Sequence, residues 1–544
     1  MNKIFTQLVE MRHLTDDFIH PKYDGLAAPS ELPDMDKAIT RIEKAIKTGE
    51  KILIYGDYDV DGVTASTLME QALKLAGAKS IEIMLPDRFV DGYGMSPRLI
   101  KRAKEKKITL VITVDCGSRN HTIIDELNHE HIDTIVTDHH ECEETIPDAI
   151  AVINPHRHDY QGPEDLKNLA GVGVAFKLAQ GLAEKGLIEN GQEKWLLDLV
   201  LIGTICDSML LTRENRILTY YGKVVLEKTK RPGLRELMKN AGVREITSES
   251  IGFQIGPRLN AAGRLATAET SLNLLRTDSA TEAAKIAAEL EELNKTRRTE
   301  QRAATTEITE RLKNISAKDR AETPVIIETG KWHEGVLGII AGRLVEQYHQ
   351  PAFVLSEVED GIYKGSGRSF GEFNLAEALQ YAKDAIEGGG GHAAAAGVQV
   401  RGENLYQFRE KINEYYKSLN LKNQERFLKS TADLDITDVK DLNLDLMEEL
   451  SLLEPFGSGN EEPIFCLKDA YIYAQRRMGD EGKHLRLDLK GQDGKIIKAI
   501  AFSAPEGWFD LDDESVPHNF IIQPTINEWN GTRSVEARLL DILT

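Results

Sequence analysis

Ile52-Leu-Ile-Tyr-Gly-Asp-Tyr-Asp-Val-Asp-Gly62 sets a four-residue apolar run directly against three aspartates at alternate positions. The same junction returns twice, where residues 110–114 run into Asp115 and residues 132–137 into Asp138-His139-His140. Short uninterrupted apolar runs separated by helix-like segments predict buried parallel strands, and an open parallel sheet places its ligands at the carboxyl ends of its strands. The acids at these three ends are therefore expected to converge on one crevice. Carboxylates crowded together repel and raise one another's pKa unless cations share the site. The sequence predicts a metal centre.

Outward from that stretch, strand-like segments at 52–55, 81–85, 110–114 and 132–137 alternate with helical ones at 38–46, 63–76 and 97–106. This is α/β alternation with a mostly parallel sheet. From about residue 165 to 240 leucine-rich helical spacing takes over. Ser279-Ala-Thr-Glu282 then reads as a capping box, and Ile286, Leu290, Leu293, Ile308 and Leu312 follow on a highly charged background, predicting a long linking helix. A second α/β unit begins near Pro324 and closes with the glycine run 388–391 and His392. The last stretch reads as an all-β module, barrel-like or sandwich-like, with hairpin turns at Asp493-Gly494 and Asn530-Gly531. Four units are expected: 1–278, the linking helix 279–315, 316–425, and 426–544.

The 544 residues are too many for one ordinary core. Four scattered cysteines without a Cys-x-x-Cys pair argue against a disulfide framework or a zinc ribbon. No signal-like start or bilayer-length apolar stretch is present, so a soluble cytoplasmic protein that does not engage a membrane is expected. A net charge of -21 argues against general polyanion binding. Any nucleic-acid contact must come from local basic patches. Residues 476–498 supply one, with seven Lys/Arg against four acids.

Within Gly56–Gly62, Asp57, Asp59 and Asp61 would project to one side if the segment stayed extended; the alternative is an acidic turn capping the helix that follows. Asp138-His139-His140 mixes carboxylate and imidazole donors, which suits manganese or another first-row divalent ion better than calcium. Asp207, after the apolar run 201–206, could complete a second ion's shell. Two such ions would activate a water and stabilise charge developing on phosphorus. Candidate phosphate contacts are Arg88, the cluster Arg258, Asn260 and Arg264, and Ser366 with Arg368 in Gly365-Ser-Gly-Arg-Ser369; the glycines before His392 would let backbone N–H groups approach a ligand.

At these residues the chain resembles the DHH phosphoesterase superfamily, and within it the bacterial RecJ-type single-stranded-DNA exonucleases. The resemblance rests on Gly56-Asp-Tyr-Asp-Val-Asp-Gly62, Asp91-Gly-Tyr-Gly94, Asp115-Cys-Gly117, Asp138-His-His140, Ile255-Gly-Pro-Arg-Leu-Asn-Ala-Ala-Gly-Arg264, Trp332-His-Glu-Gly-Val-Leu-Gly-Ile-Ile340 and Gly389-Gly-Gly-His392, in that order. Leu453-Glu-Pro-Phe-Gly-Ser-Gly-Asn460 and Asn527-Glu-Trp-Asn-Gly531 resemble the stretches that bracket the family's OB-fold.

The resemblance implies a DHH domain, a DHH-associated α/β domain and an OB-like module. It implies a manganese- or magnesium-dependent exonuclease that releases mononucleotides 5′-to-3′ in repair and recombination. Asp57, Asp59, Asp61, Asp115, Asp138, His139 and Asp207 would hold two divalent ions, with Asp115, Asp138, His139 and His140 as the catalytic group. Arg88, Ser366 and Arg368 would hold a terminal 5′-phosphate, and His392 would face the substrate backbone. The implied partners of a monomer are single-stranded DNA, a single-strand-binding protein and a helicase. Two alternatives stay open: a phosphodiesterase for short oligonucleotides or cyclic dinucleotides, and a strand-binding scaffold without turnover. The chain departs from the pattern in having Tyr55 where some members have histidine, in the surroundings of Asp207, and in stopping just after the OB-like module where many relatives continue. In that module Phe465, Tyr471, Tyr473, Phe502 and Trp529 offer rings for base stacking.

Overall fold

Strands β1 (Ile52–Tyr55), β2 (Ile81–Met84), β3 (Leu110–Val114), β4 (Asp133–Thr137) and β5 (Ala151–Ile153) pair in parallel in the order β2-β1-β3-β4-β5. Every residue of β1 and β3 is buried, as a parallel sheet covered on both faces requires. In this order the connection after β1 runs one way, to β2, and the connection after β3 runs the other way, to β4, so the crevice opens between β1 and β3, at Asp57 and Asp115. These coordinates are a computed structural model that describes residues 2–543 except 93, 316–321, 422–430, 480–481, 512–514 and 530. Residues 316 and 425, where unit boundaries were expected, lie outside the described residues, as do Tyr93, Asp480, Glu481 and Asn530.

The helix after β1 starts earlier than its apolar pattern indicates. It spans Val60–Leu75, with Asp59 as N-cap accepting from the Gly62 N–H at 3.0 Å. The acidic segment is thus not extended through Asp61, and the three aspartates wind around the first turn. Unsatisfied N–H groups and the positive end of the helix dipole draw carboxylates there. Two helices without a polar face, Gly171–Glu184 and Leu197–Cys206, pack against Val60–Leu75 and fill the core.

The linking helix spans Ala280–Lys313. Ser279 accepts from the Glu282 N–H, but the reciprocal arm of the expected capping box is not made: Glu282 instead accepts from the Thr277 hydroxyl at 2.7 Å. Ala287 and Leu290 join the core of the first unit, while Ala304, Ile308 and Leu312 pack on the second. The stretch between bridges the two.

That second unit is a sheet of β6 (Ile326–Gly330), β7 (Ala352–Glu359), β8 (Ile362–Arg368), β9 (Gly388–Gly391) and β10 (Ala395–Arg401), ordered β6-β7-β8-β10-β9. The glycine run is therefore an exposed edge strand paired with β10, rather than a loop.

The C-terminal module contains β11 (Leu434–Ile436), β12 (Phe465–Met478), β13 (His484–Lys490), β14 (Ile496–Ala501), β15 (His518–Trp529) and β16 (Thr532–Leu543). The order β12-β13-β14-β16-β15 closes through β12–β15 pairing into a barrel. It is not purely β: the helix Leu444–Ser451 joins its core, as does the helix Lys3–Met11 through Ile4, Phe5 and Leu8. The chain's first helix thus packs on its last unit instead of the one it precedes. Arg216, buried, fixes the module to the first unit by donating to the carbonyls of Phe18, Leu452 and Glu454.

Candidate active site

Asp57 leaves β1 with Oδ1 accepting from the Tyr58 N–H at 2.8 Å. Asp61, on the first helical turn, accepts from the N–H groups of Gly171 and Val172 at 2.6 and 2.9 Å, so one helix start holds it against another. Asp115 ends β3 in the left-handed region at φ 60°, a strained conformation for a residue other than glycine. A Cβ on Gly171 would lie 2.5 Å from the Asp115 Cβ, so a glycine is required for this approach. Asp207 C-caps the helix Leu197–Cys206, where the dipole disfavours an anion. His139 Nε2 lies 3.1 Å from Asp115 Oδ1, 3.7 Å from Asp207 Oδ2 and 3.9 Å from Asp61 Oδ2. Three sets of ligand atoms close to within 4.8 Å: Asp57, Asp59 and Asp115; Asp61, His139 and Asp207; Asp115, His139 and His140.

Burial and mutual repulsion push Asp57 and Asp115 well above the carboxylate range, Asp61 to about 7 and Asp207 to about 8. Burial and the adjacent His140 push His139 down to about 3, so its ring is neutral, and it hydrogen-bonds the backbone at Leu169. Its Nε2 then turns a lone pair toward carboxylate oxygens. Asp115 Oδ1 is buried without a hydrogen-bond donor among the described residues. Facing lone pairs and an orphaned carboxylate oxygen fit divalent cations, and the oxygen-rich set with one imidazole fits magnesium or manganese.

Asp138 plays a different part from the other acids. Its Oδ1 accepts from His140 Nδ1 at 2.8 Å and from the N–H groups of His139 and His140, while Oδ2 accepts from the Ser118 N–H at 2.9 Å. Burial alone would raise its pKa, but these bonds hold it well below the usual range, and His140 in return is lifted to about 9 against its own burial. Asp138 thus anchors a cationic His140 at the edge of the cluster, and it is absent from the three ligand sets. Asn154, just past β5, was not singled out by sequence; it donates to Ser118 Oγ and the His140 carbonyl at 2.8 and 2.9 Å. An apolar strand ending in a polar residue was the available signal. Tyr55 is buried, with its hydroxyl on the Gly94 carbonyl at 3.0 Å.

The arginines gather beside the acids. Arg88 lies over the Tyr58 ring at 5.1 Å, one residue from Asp57, and with Ser366 lines a cavity of about 450 Å³ between the two α/β units. Arg368 donates to Ser366 Oγ at 3.2 Å. Gly338 makes room for this pair, since a Cβ there would lie 2.8 Å from Arg368 Nη2. Arg264 is pushed down by burial and by Arg88, Arg297 and Arg368, and no ion pair joins any of these four to a carboxylate among the described residues. Guanidiniums do not surrender their protons at neutral pH, so the cluster calls for an anion. Asn260, Arg264 and Arg297 line a second cavity of about 870 Å³. Arg297, on the charged middle of the linking helix, carried no distinguishing sequence signal.

Arg258 is not part of this. It is taken up by Glu291, at 2.5 and 3.2 Å, and by the Gln254 carbonyl, so it ties its helix to the linking helix. His392 is exposed beyond β9, its N–H closing a turn on the Ala395 carbonyl. In the β module Phe465 is core, whereas Tyr471, Tyr473, Phe502 and Trp529 are exposed. The local positive excess is partly cancelled by Arg477–Glu506, Arg486–Asp488 and Lys498–Glu536 pairs.

Comparison with known families agrees with this arrangement. Residues 51–204 match the DHH family, N-terminal domain; residues 322–418 match the DHHA1 domain; residues 433–541 match the RecJ OB domain. The single-stranded-DNA-specific exonuclease RecJ of Bacillus subtilis is 35% identical over 96% of this chain, which spans 65% of that protein. The protein of the same name from Dickeya dadantii is 33% identical, with 94% of this chain and 91% of the relative covered. The crystal structure of RecJ in complex with Mn2+ from Thermus thermophilus superposes with a TM-score of 0.81 at 28% identity, over 100% of this chain and 76% of that one. Among the described residues no helix is long and apolar enough to cross a membrane. With all three family domains present in order and relatives matched over nearly its whole length, the chain belongs to the RecJ family of DHH proteins.

Proposed function

We propose that the chain is a manganese- or magnesium-dependent exonuclease that removes mononucleotides from the 5′ end of single-stranded DNA in repair and recombination. The observation that carries this reading is the adjacency of a buried acid nest and an arginine cluster without carboxylate partners among the described residues, since a phosphodiester with a terminal phosphate answers both. Bound at Asp57, Asp59, Asp61, Asp115, His139 and Asp207, two divalent ions would supply an activated water and offset charge on the phosphorus. Asp138 fixes His140 through Nδ1 and keeps its ring protonated, ready to bond a phosphate oxygen. Arg88, Ser366 and Arg368 hold the terminal 5′-phosphate, Asn260 and Arg264 hold the strand behind it, and His392 contacts its backbone. A fixed distance from that pocket to the acids sets the one-nucleotide step and the 5′-to-3′ polarity. The barrel beside the larger cavity favours a long strand over a cyclic dinucleotide. In this reading the chain works as a cytoplasmic monomer with a helicase and a single-strand-binding protein, which expose and coat its substrate.

A digestion time course on strands labelled at either end, with and without manganese, tests the proposal. Mononucleotides should leave 5′-labelled strands at once and 3′-labelled strands only at the end. Release from the 3′ end first, or equal release in EDTA, would contradict it.

A further inference from the structure

The turn Ile251–Ile255 is π-helical and leads directly into the helix Gly256–Leu265. Such turns hold an extra residue at a cost in backbone energy and occur often at functional sites. Ile251 and Ile255 are buried and anchor it, while Phe253 between them is 79% exposed. A lone exposed ring is ordinary, but this one lines the 870 Å³ cavity, which runs from Cys206 and Ser208 on either side of Asp207 to Phe456 at the entry to the barrel.

Arg297 lines the same cavity from the linking helix. Its guanidinium is held by neutral groups, Nη2 on Asn294 Oδ1 at 2.6 Å and Nη1 on Gln301 Oε1 at 3.2 Å. The charged groups that act on it most are cations, Arg258 and Arg298; the carboxylates that line the cavity, Glu249, Glu461 and Glu462, make no ion pair with it among the described residues. On a protein of net charge -21, a positioned cation without an acid partner among the described residues points to an anionic ligand.

Resting on the exonuclease reading, we propose that Phe253 and Arg297 form a nucleotide subsite within the cavity, the ring stacking on one base of the threaded strand and the guanidinium taking a neighbouring phosphate. Stacking accepts any base, so the subsite would grip single strands without sequence preference, and it requires an unpaired base face. It would hold the strand between removals of successive nucleotides.

The test is binding of the full chain, in EDTA, to a 5′-phosphorylated 20-nucleotide strand, with one abasic residue walked along it. The wild type should show one position, 3′ of the terminal nucleotide, where base removal weakens binding about tenfold. Phe253→Ala should weaken binding of the intact strand by a similar factor and be blind to that position, and Phe253→Trp should restore both. Arg297→Met should lower the slope of log Kd against log salt by about 0.7. A flat abasic scan from a wild type that still trims 5′ ends, or a Phe253→Ala variant that senses the same position, would overturn the subsite alone. A wild type that neither binds nor trims the strand would overturn the function together with the subsite.

Discussion

Where Asp57, Asp61, Asp115 and Asp207 crowd together, burial and repulsion raise the carboxylates toward their neutral forms. Where the half-buried Arg264 and Arg368 lie beside Arg88 and Arg297, the same forces act, but a guanidinium keeps its proton. The acid nest has two ways out, protonation or cations; the arginine cluster has one, an anion. The two lie next to each other, bridged by Tyr58 between Asp57 and Arg88. Such paired frustration costs stability, and the ligand proposed above, a metal-bound phosphodiester, would relieve both.

The sharpest way to break the comparison is to remove an acid that the others cannot replace. Asp115→Asn removes the carboxylate charge of the residue that two ligand sets share and should lower kcat by about 10³-fold or more on a 5′-phosphorylated strand. Retained activity would mean that the nest does not hold the catalytic ions. On the basic side, Arg368→Lys keeps the charge but loses the planar fork. It should reduce kcat/KM for 5′-phosphorylated strands about 30-fold and act far less on 5′-hydroxyl strands. Equal losses on both would remove Arg368 from the terminal-phosphate pocket.

Metal and pH sharpen the contrast further. Between about pH 6.5 and 8, Asp61, Asp207 and His140 retain protons in the folded chain that they release when it unfolds, because their folded values lie near 7, 8 and 9. His139, neutral when folded but half protonated near pH 6.5 when unfolded, acts in the opposite sense, and only at the lower end of that window, where the three proton-retaining groups outweigh it. The folded state therefore binds more protons, and stability falls as pH rises. Metal-free protein should melt several degrees lower at pH 8 than at pH 6.5, with manganese restoring more at pH 8. A melting temperature that rises across this window would contradict the assignment. The smallest effect belongs to Arg258→Met, which breaks a partly exposed pair with Glu291 and should cost about 1 kcal/mol of stability, seen as a slightly lower melting temperature with KM within about twofold.

The layout of the first sheet could be read from the sequence because a parallel sheet covered on both faces demands continuous apolar runs, and acids at their ends mark the open crevice. The motif-level resemblance supplied the division into a DHH domain, an associated domain and an OB-like barrel. What could not be read depended on partners remote in sequence. Whether Gly56–Gly62 is extended or capping was decided by the N–H groups of the following helix. Arg258 and Arg264 look alike in their motif, yet Glu291, one helix away, occupies the first, while the second meets only the Gly335 carbonyl, at 3.4 Å, and no carboxylate among the described residues. The helix Lys3–Met11 has an amphipathic pattern that does not say which core it will join, and its place is set by the helix Leu444–Ser451, against which it packs, and by the barrel core that both enter. Arg297 and Phe253 belong to elements whose role is visible only once four units surround one cavity.

The central claim, that the acids form a nest for a pair of divalent ions, is tested most directly by anomalous diffraction from crystals grown in manganese. Two peaks a few ångströms apart are expected, one against Asp57, Asp59 and Asp115, the other against Asp61, His139 and Asp207. A map with no peak there, and these side chains turned away from one another, would contradict it.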